Sequence, residues 1–388
     1  SAEHVWSADR YQIGVIEKLH PGAGILTEIE KDETIAKPDG VVKYIADYSI
    51  DLVGPGERAK RQVAACQAAG VTIHIKSEPE LGFEAPRLPF IPCLDRWAAR
   101  AEALVSLRPD GVWVFPYFRP NYGSTAAEVF KHAWWDPAEP TELVLDGLAR
   151  RAAGDEAGPH LRAAWRHASQ AIAWSPEQPA YYTGPDYLGP AHPMCVSPSA
   201  ALPDVFYGQF LFMGEATDAE GLTWRPIFVT SPSGNVPVFG KFYRHMADCL
   251  QQAMEELELA RPLVTPQHQL TFDAECSPLQ WFYHTARTQA NFYESCLLRD
   301  AVHVVADRRD KGATAAEPVD AQQCRALFDR WRAVLVDERA NTEAALPVAE
   351  ADMRLDCYYS SDHAFPHMAD MIRAKLAKIG RASCRERV

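Results

Sequence analysis

Between residues 40 and 121, short apolar runs alternate with segments of helical periodicity, and this rhythm constrains the fold more than any other feature of the chain. Residues 41–50 (VVKYIADYSI) read as a strand, and residues 57–69 (ERAKRQVAACQAA) as a helix that stops before Gly70. Residues 71–75 form the next strand, 92–107 the next helix and 111–117 (GVWVFPY) a third strand. Strands separated by helices imply parallel pairing with right-handed crossovers. Three strands are too few to close a barrel. The expected fold class is therefore α/β, the C-terminal part of a (β/α)8 TIM-like barrel over residues 1–136, followed by a mainly α-helical region over 137–378. A doubly wound open sheet is the competing arrangement, and no GxGxxG follows any strand to supply its dinucleotide site.

Beyond residue 136 strands become scarce. Leu161, Ala164, Trp165, Ala168 and Ile172 recur on one helical face, and helical readings return at 242–260, 281–305, 321–345 and 367–379. Residues 175–199 carry prolines at 176, 179, 185, 190, 193 and 198, which deny a regular helix and favour an ordered extended loop, and its YYTGPDYLGPAHP segment is too aromatic for a flexible linker. Residues 311–318 (KGATAAEP) read as an exposed connection. The last ten residues, 379–388 (IGRASCRERV), resemble a translated sequencing adapter and are expected to be a non-native tail. The chain as a whole reads as a piece of a longer protein from environmental sequence.

The formal net charge of −13 disfavours nucleic acid and anionic membrane as partners, since both reward concentrated Lys and Arg. A neutral substrate meets no such penalty. No run of 18 apolar residues marks a transmembrane segment, and the opening SAEHVWSADR lacks the basic and apolar parts of a signal peptide. Nine scattered cysteines without a CxxC pair fit isolated thiols in a reducing compartment, so the expected location is cytoplasmic. Oligomeric state is not legible.

Three glutamates, Glu78, Glu80 and Glu84, follow the second strand. Acid and base catalysis on a glycosidic bond uses two carboxyl groups across the scissile oxygen. Glu84 is the first candidate because the PRLPFIP run at 86–92 stiffens the backbone that presents it; Glu78 and Asp47 complete the catalytic set. Each can equally be a solvated loop residue, or, for Asp47, a hydrogen-bond anchor at a strand end. Lys76 is expected to point into the barrel and so needs an anionic partner, with Asp47 at the end of the preceding strand the obvious one across roughly 4.8 Å. Tyr48, Tyr117, Arg119 and Asn121 complete the expected binding set: Tyr117, with Phe118 and Tyr122, offers a ring face, and Arg119 and Asn121 offer hydrogen bonds to hydroxyls or an acidic group. Aromatic residues also fill ordinary cores. His132, Asp356, Asp362, His363 and His367 match no metal-ligand spacing, no GxSxG elbow is present, and neither metal nor cofactor is expected.

The strand-and-turn DYSIDLVGPGE at 47–57, Lys76 with Glu84 eight positions later, PFIP at 89–92, YYTGPDYLGPAHP at 181–193 and DMRLDCYYSSDHAFPHMADMIRAKL at 352–376 together resemble a family of bacterial glycoside-hydrolase-like (β/α)8 barrels. Members of that family show a Gly-rich, Trp-containing third-strand end where this chain has FPYFRPNYG. The resemblance implies glycosidic-bond hydrolysis by carboxylate chemistry with a carbohydrate as substrate. The alternative is a carbohydrate-binding protein without catalysis, or an inactive fragment of a larger glycosidase.

Overall fold

The computed structural model describes residues 9–20, 22–45, 48–77, 79–80, 82, 84–114, 123–135, 138–176, 188–194, 236–310, 321–356 and 367–385. These divide into two compact units. The first takes the described residues up to 176 together with 248–279; the second takes those at 188–247, 280–356 and 361 onward.

The first unit holds all five strands of the described residues: β1 Gly24–Glu28, β2 Glu33–Ala36, β3 Val42–Ile45, β4 Thr72–Lys76 and β5 Gly111–Trp113. They form two small open sheets, a parallel one in the order β1-β4-β5 and an antiparallel pair of β2 with β3. The expected partial (β/α)8 barrel is thereby corrected. Among the described residues nothing closes, and the strand read at 41–50 is not in the parallel sheet at all. Among the described residues it runs over Val42–Ile45, and the reason for its direction is local. Pro38, Asp39 and Gly40 make a tight turn with Asp39 at φ 61° and Gly40 at φ 73°, and Lys37 N–H donates to Val41 O at 2.7 Å. A turn this short returns the chain beside itself, so the pairing is antiparallel.

Helices flank the parallel sheet. Helix α1 is Asp9–Ile16 and α2 is Glu57–Ala69, which buries Ala59, Val63 and Cys66 at helical spacing and stops where Gly70 adopts φ 66°. Helix α3, Leu94–Leu107, buries Leu94, Trp97, Ala98, Ala101 and Leu104 in the same rhythm. On β4 the period is two: Ile73 and Ile75 face the core while Thr72 and His74 are exposed. Ile25, Ile29, Val63, Ile73, Ile75, Ala101 and Leu104 meet in one cluster that clamps the sheet. Burying each of the larger aliphatic side chains stabilises by about 1.5–3 kcal/mol. Helices α4 Thr125–His132, α5 Thr141–Ala153 and α6 Gly158–Ile172 complete this part of the unit.

Later come α7 Val236–Ala260, α8 Gln269–Asp310, α9 Ala321–Ala351 and α10 Met368–Arg385. The second unit contains no strand among its described residues. Its interior mixes apolar side chains such as Trp281, Phe282, Phe292, Tyr293, Met371 and Ile372 with a buried polar layer of Thr288, Asn291, Glu338, Asn341 and Lys375. No helix among the described residues is long and apolar enough to cross a membrane.

Candidate functional site

The parallel register places Glu28 beside Lys76, and Lys76 beside Trp113, at the carboxyl ends of β1, β4 and β5. This edge is where α/β sheets collect their ligand-facing groups, because the loops that follow the strands are free to vary while the strands are fixed. Lys76 does have the anionic partner that its position demands, but the partner is Glu28, with Nζ 3.0 Å from Oε1. Its ammonium also donates to the Tyr48 hydroxyl and lies 3.8 Å from the ring centroid. Tyr48 reaches this place from an unusual backbone, φ 45°, a conformation that a bulky residue rarely adopts and that neighbouring structure must hold.

Two residues after Glu28 the chain buries Glu30, whose nearest cation is Arg100 of α3 at 3.7 Å. Arg100 donates to the carbonyls of Ser49, Leu52 and Val53, so it serves chiefly to hold the 49–53 loop. Burial pushes the Glu30 carboxyl upward; Arg100 opposes, the Glu28 charge adds to the rise, Lys76 opposes, and the net direction is up. Ser77 follows Lys76 and is buried. Glu28 Oε2, Glu30 Oε2 and Ser77 Oγ have no hydrogen-bond partner among the described residues.

Glu84 sits elsewhere. It is buried, and its Oε1 accepts from the Ser49 hydroxyl and, at 3.3 Å, from Asp51 N–H, while Oε2 accepts from Ile50 N–H at 3.4 Å. Lys43 Nζ lies 3.8 Å away. The carboxylate therefore pins the 49–51 backbone and faces no solvent. Asp51 beside it receives Lys43 at 2.9 Å, Lys37 and Arg96. Burial alone would raise the Asp51 carboxyl, but Lys43 and Lys37 together overcome it and hold it below the ordinary range. Burial pushes the Lys37 ammonium down to about 8 against the pull of Asp51. Lys37 and Lys43 also donate to Ile172 O and Ser175 Oγ, tying the hairpin to the end of α6. This group is a buried ionic anchor.

Of the residues expected from the sequence, Lys76 and Tyr48 come together and Glu84 does not join them. Asp47, Glu78, Tyr117, Arg119 and Asn121 lie outside the described residues. Glu28, Glu30, Ser77 and Arg100 were missed. A signal for the first two exists in the run GILTEIEKDE, where acids alternate with apolar residues at a strand end, but β1 itself is short and was not read.

Glycosidic-bond hydrolysis, and with it the probable-glycosidase and carbohydrate-binding alternatives, is overturned. The barrel on which those readings stood is replaced by two small open sheets, and their first acid is locked in a structural clamp. The described residues contain no cluster of His, Cys, Asp and Glu able to hold a metal ion. No protein-family model, curated protein or solved structure matches this chain, so the resemblance to glycoside-hydrolase-like barrels has no support.

Proposed function

We propose that the first unit binds a small, neutral, polar molecule at the carboxyl ends of β1 and β4. The observation that carries this reading is the set of buried oxygens there, Glu28 Oε2, Glu30 Oε2 and Ser77 Oγ, without a partner among the described residues. A buried polar atom without a hydrogen bond costs roughly 1–3 kcal/mol, so a molecule supplying donors at this edge regains that energy on binding. The charges argue for a neutral ligand. Among the described residues here, Glu28 is matched by Lys76 and Arg100 is met by three loop carbonyls, so both cations are already engaged. The free thiols of Cys66, Cys93, Cys249, Cys276, Cys296 and Cys324 support a cytoplasmic or otherwise reducing location.

The test is thermal unfolding of the full chain with glycerol, glucose, acetamide, acetate or methylammonium. A neutral probe should raise the melting temperature, and Ser77→Ala or Glu28→Gln should diminish the rise. If no neutral probe shifts wild type more than it shifts these variants, the proposal is rejected.

A further inference from the structure

We infer that Glu30 sets what the strand-end site accepts, standing as a neutral carboxylic acid beside the Glu28 carboxylate and offering both an O–H donor and a carbonyl acceptor. The inference rests on the ligand-binding reading for its consequence, though its protonation state is decided separately.

Glu30 is 3% exposed, and the charged groups around it come from three elements. From α3, Arg100 approaches only to 3.7 Å, beyond good hydrogen-bond reach, because its guanidinium is committed to Ser49, Leu52 and Val53 carbonyls. From β4, Lys76 is committed to Glu28 and Tyr48. From β1 comes Glu28 itself, a like charge. Glu30 Oε2 has no partner among the described residues.

An ionised carboxylate held like this would be desolvated with one oxygen unmet and would face a second negative charge. Taking up a proton removes both penalties. The two carboxyl groups stand in different surroundings and divide the work: Glu28, paired with Lys76, accepts, while Glu30 donates. A hydroxyl or a primary amide can give a hydrogen bond to Glu28 and take one from Glu30. A carboxylate has nothing to give Glu28 and is repelled by it; an ammonium cannot accept from Glu30.

The deciding experiment is infrared difference spectroscopy of the full chain at neutral pH, wild type against Glu30→Gln. Wild type should show the C=O stretch of a buried protonated carboxyl that the variant lacks. If the two spectra match in that region, the inference is overturned. Should Glu30→Gln fail to fold, the band is followed in wild type: it should persist above the ordinary carboxylate range and bleach on alkaline titration, and its absence at neutral pH again overturns the inference. With acetamide as probe, Glu28→Gln should bind about tenfold more weakly than wild type, and Glu30→Gln should lose less than that. The reverse ranking counts against Glu30 as the neutral partner. If acetamide, like every other probe, fails to bind wild type, the ligand reading fails while the spectrum still settles the state of Glu30.

Discussion

Replacing Lys375 with methionine should destabilise the second unit by about 3–5 kcal/mol, the usual consequence of leaving a buried charge without its partner. Lys375 and Glu338 are both 0% exposed. The lysine donates to Glu338 Oε1 and, at 2.8 Å, to the Pro190 carbonyl. Glu338 keeps three other donors after the change, Thr288 at 2.8 Å, Asn291 at 2.9 Å and Thr342 at 3.4 Å, so its hydrogen bonding survives while its charge loses compensation. Methionine matches the lysine stem closely enough that no large cavity forms, which isolates the electrostatic part. Adding Glu338→Gln removes the orphaned charge, and the glutamine can still face Thr288 and Asn291. The double variant should then retain only the deficit of the unmet Pro190 carbonyl, roughly 1–3 kcal/mol. The assay is urea titration read by hydrogen exchange in peptides from α9, which reports the second unit by itself. The reasoning is refuted if Lys375→Met loses less than about 1 kcal/mol, or if the two substitutions add to within about 0.5 kcal/mol, the signature of sites that do not interact.

Glu84→Gln should speed amide exchange at Ile50 and Asp51 and lower stability by about 1.5–3 kcal/mol, the range for hydrogen bonds to a charged group; an unchanged melting curve would show that the carboxylate pins nothing. Lys37, with its folded value lowered to about 8 from 10.5, binds its proton less readily when folded than unfolded. Stability should therefore rise between those two pH values, by up to about 1.4 kcal/mol per pH unit, and Lys37→Met should flatten that rise in denaturant melts. Gly189→Ala should destabilise by more than about 1 kcal/mol, since φ is 53° and a Cβ would stand 2.5 Å from Thr285 Oγ1. Thr285→Val should be neutral or stabilising in the same melts, because that hydroxyl is buried without a partner among the described residues; a clear loss would reveal one.

Helices were legible where the chain had a face to bury. Residues 57–69 match α2 to the residue because Ala59, Val63 and Cys66 repeat on one side and Gly70 supplies the stop. The hairpin was legible too, and was overlooked: KPDGV is a turn written in proline and glycine, and giving it weight would have reversed the direction of the strand at 42–45. Once that strand pairs with β2 and leaves the parallel sheet, the place beside Lys76 passes to Glu28 on β1. A single misjudged turn thus changed the proposed ion pair, the strand count and the argument for a barrel.

Glu84 exposes a different limit. The proline-rich run behind it does supply rigidity, but residues 84–94 are buried throughout, so the rigidity belongs to a core and not to a rim. A glutamate in a stiff loop has the same sequence signature whether it presents to solvent or ties down another backbone. What separates the cases is whether donors surround it. Glu84 has the Ser49 hydroxyl and two backbone N–H groups, and its chemistry is used up in folding. Glu30 is as deeply buried, but its Oε2 meets no donor among the described residues, and that unspent acceptor is why the search for a ligand belongs at the ends of β1 and β4.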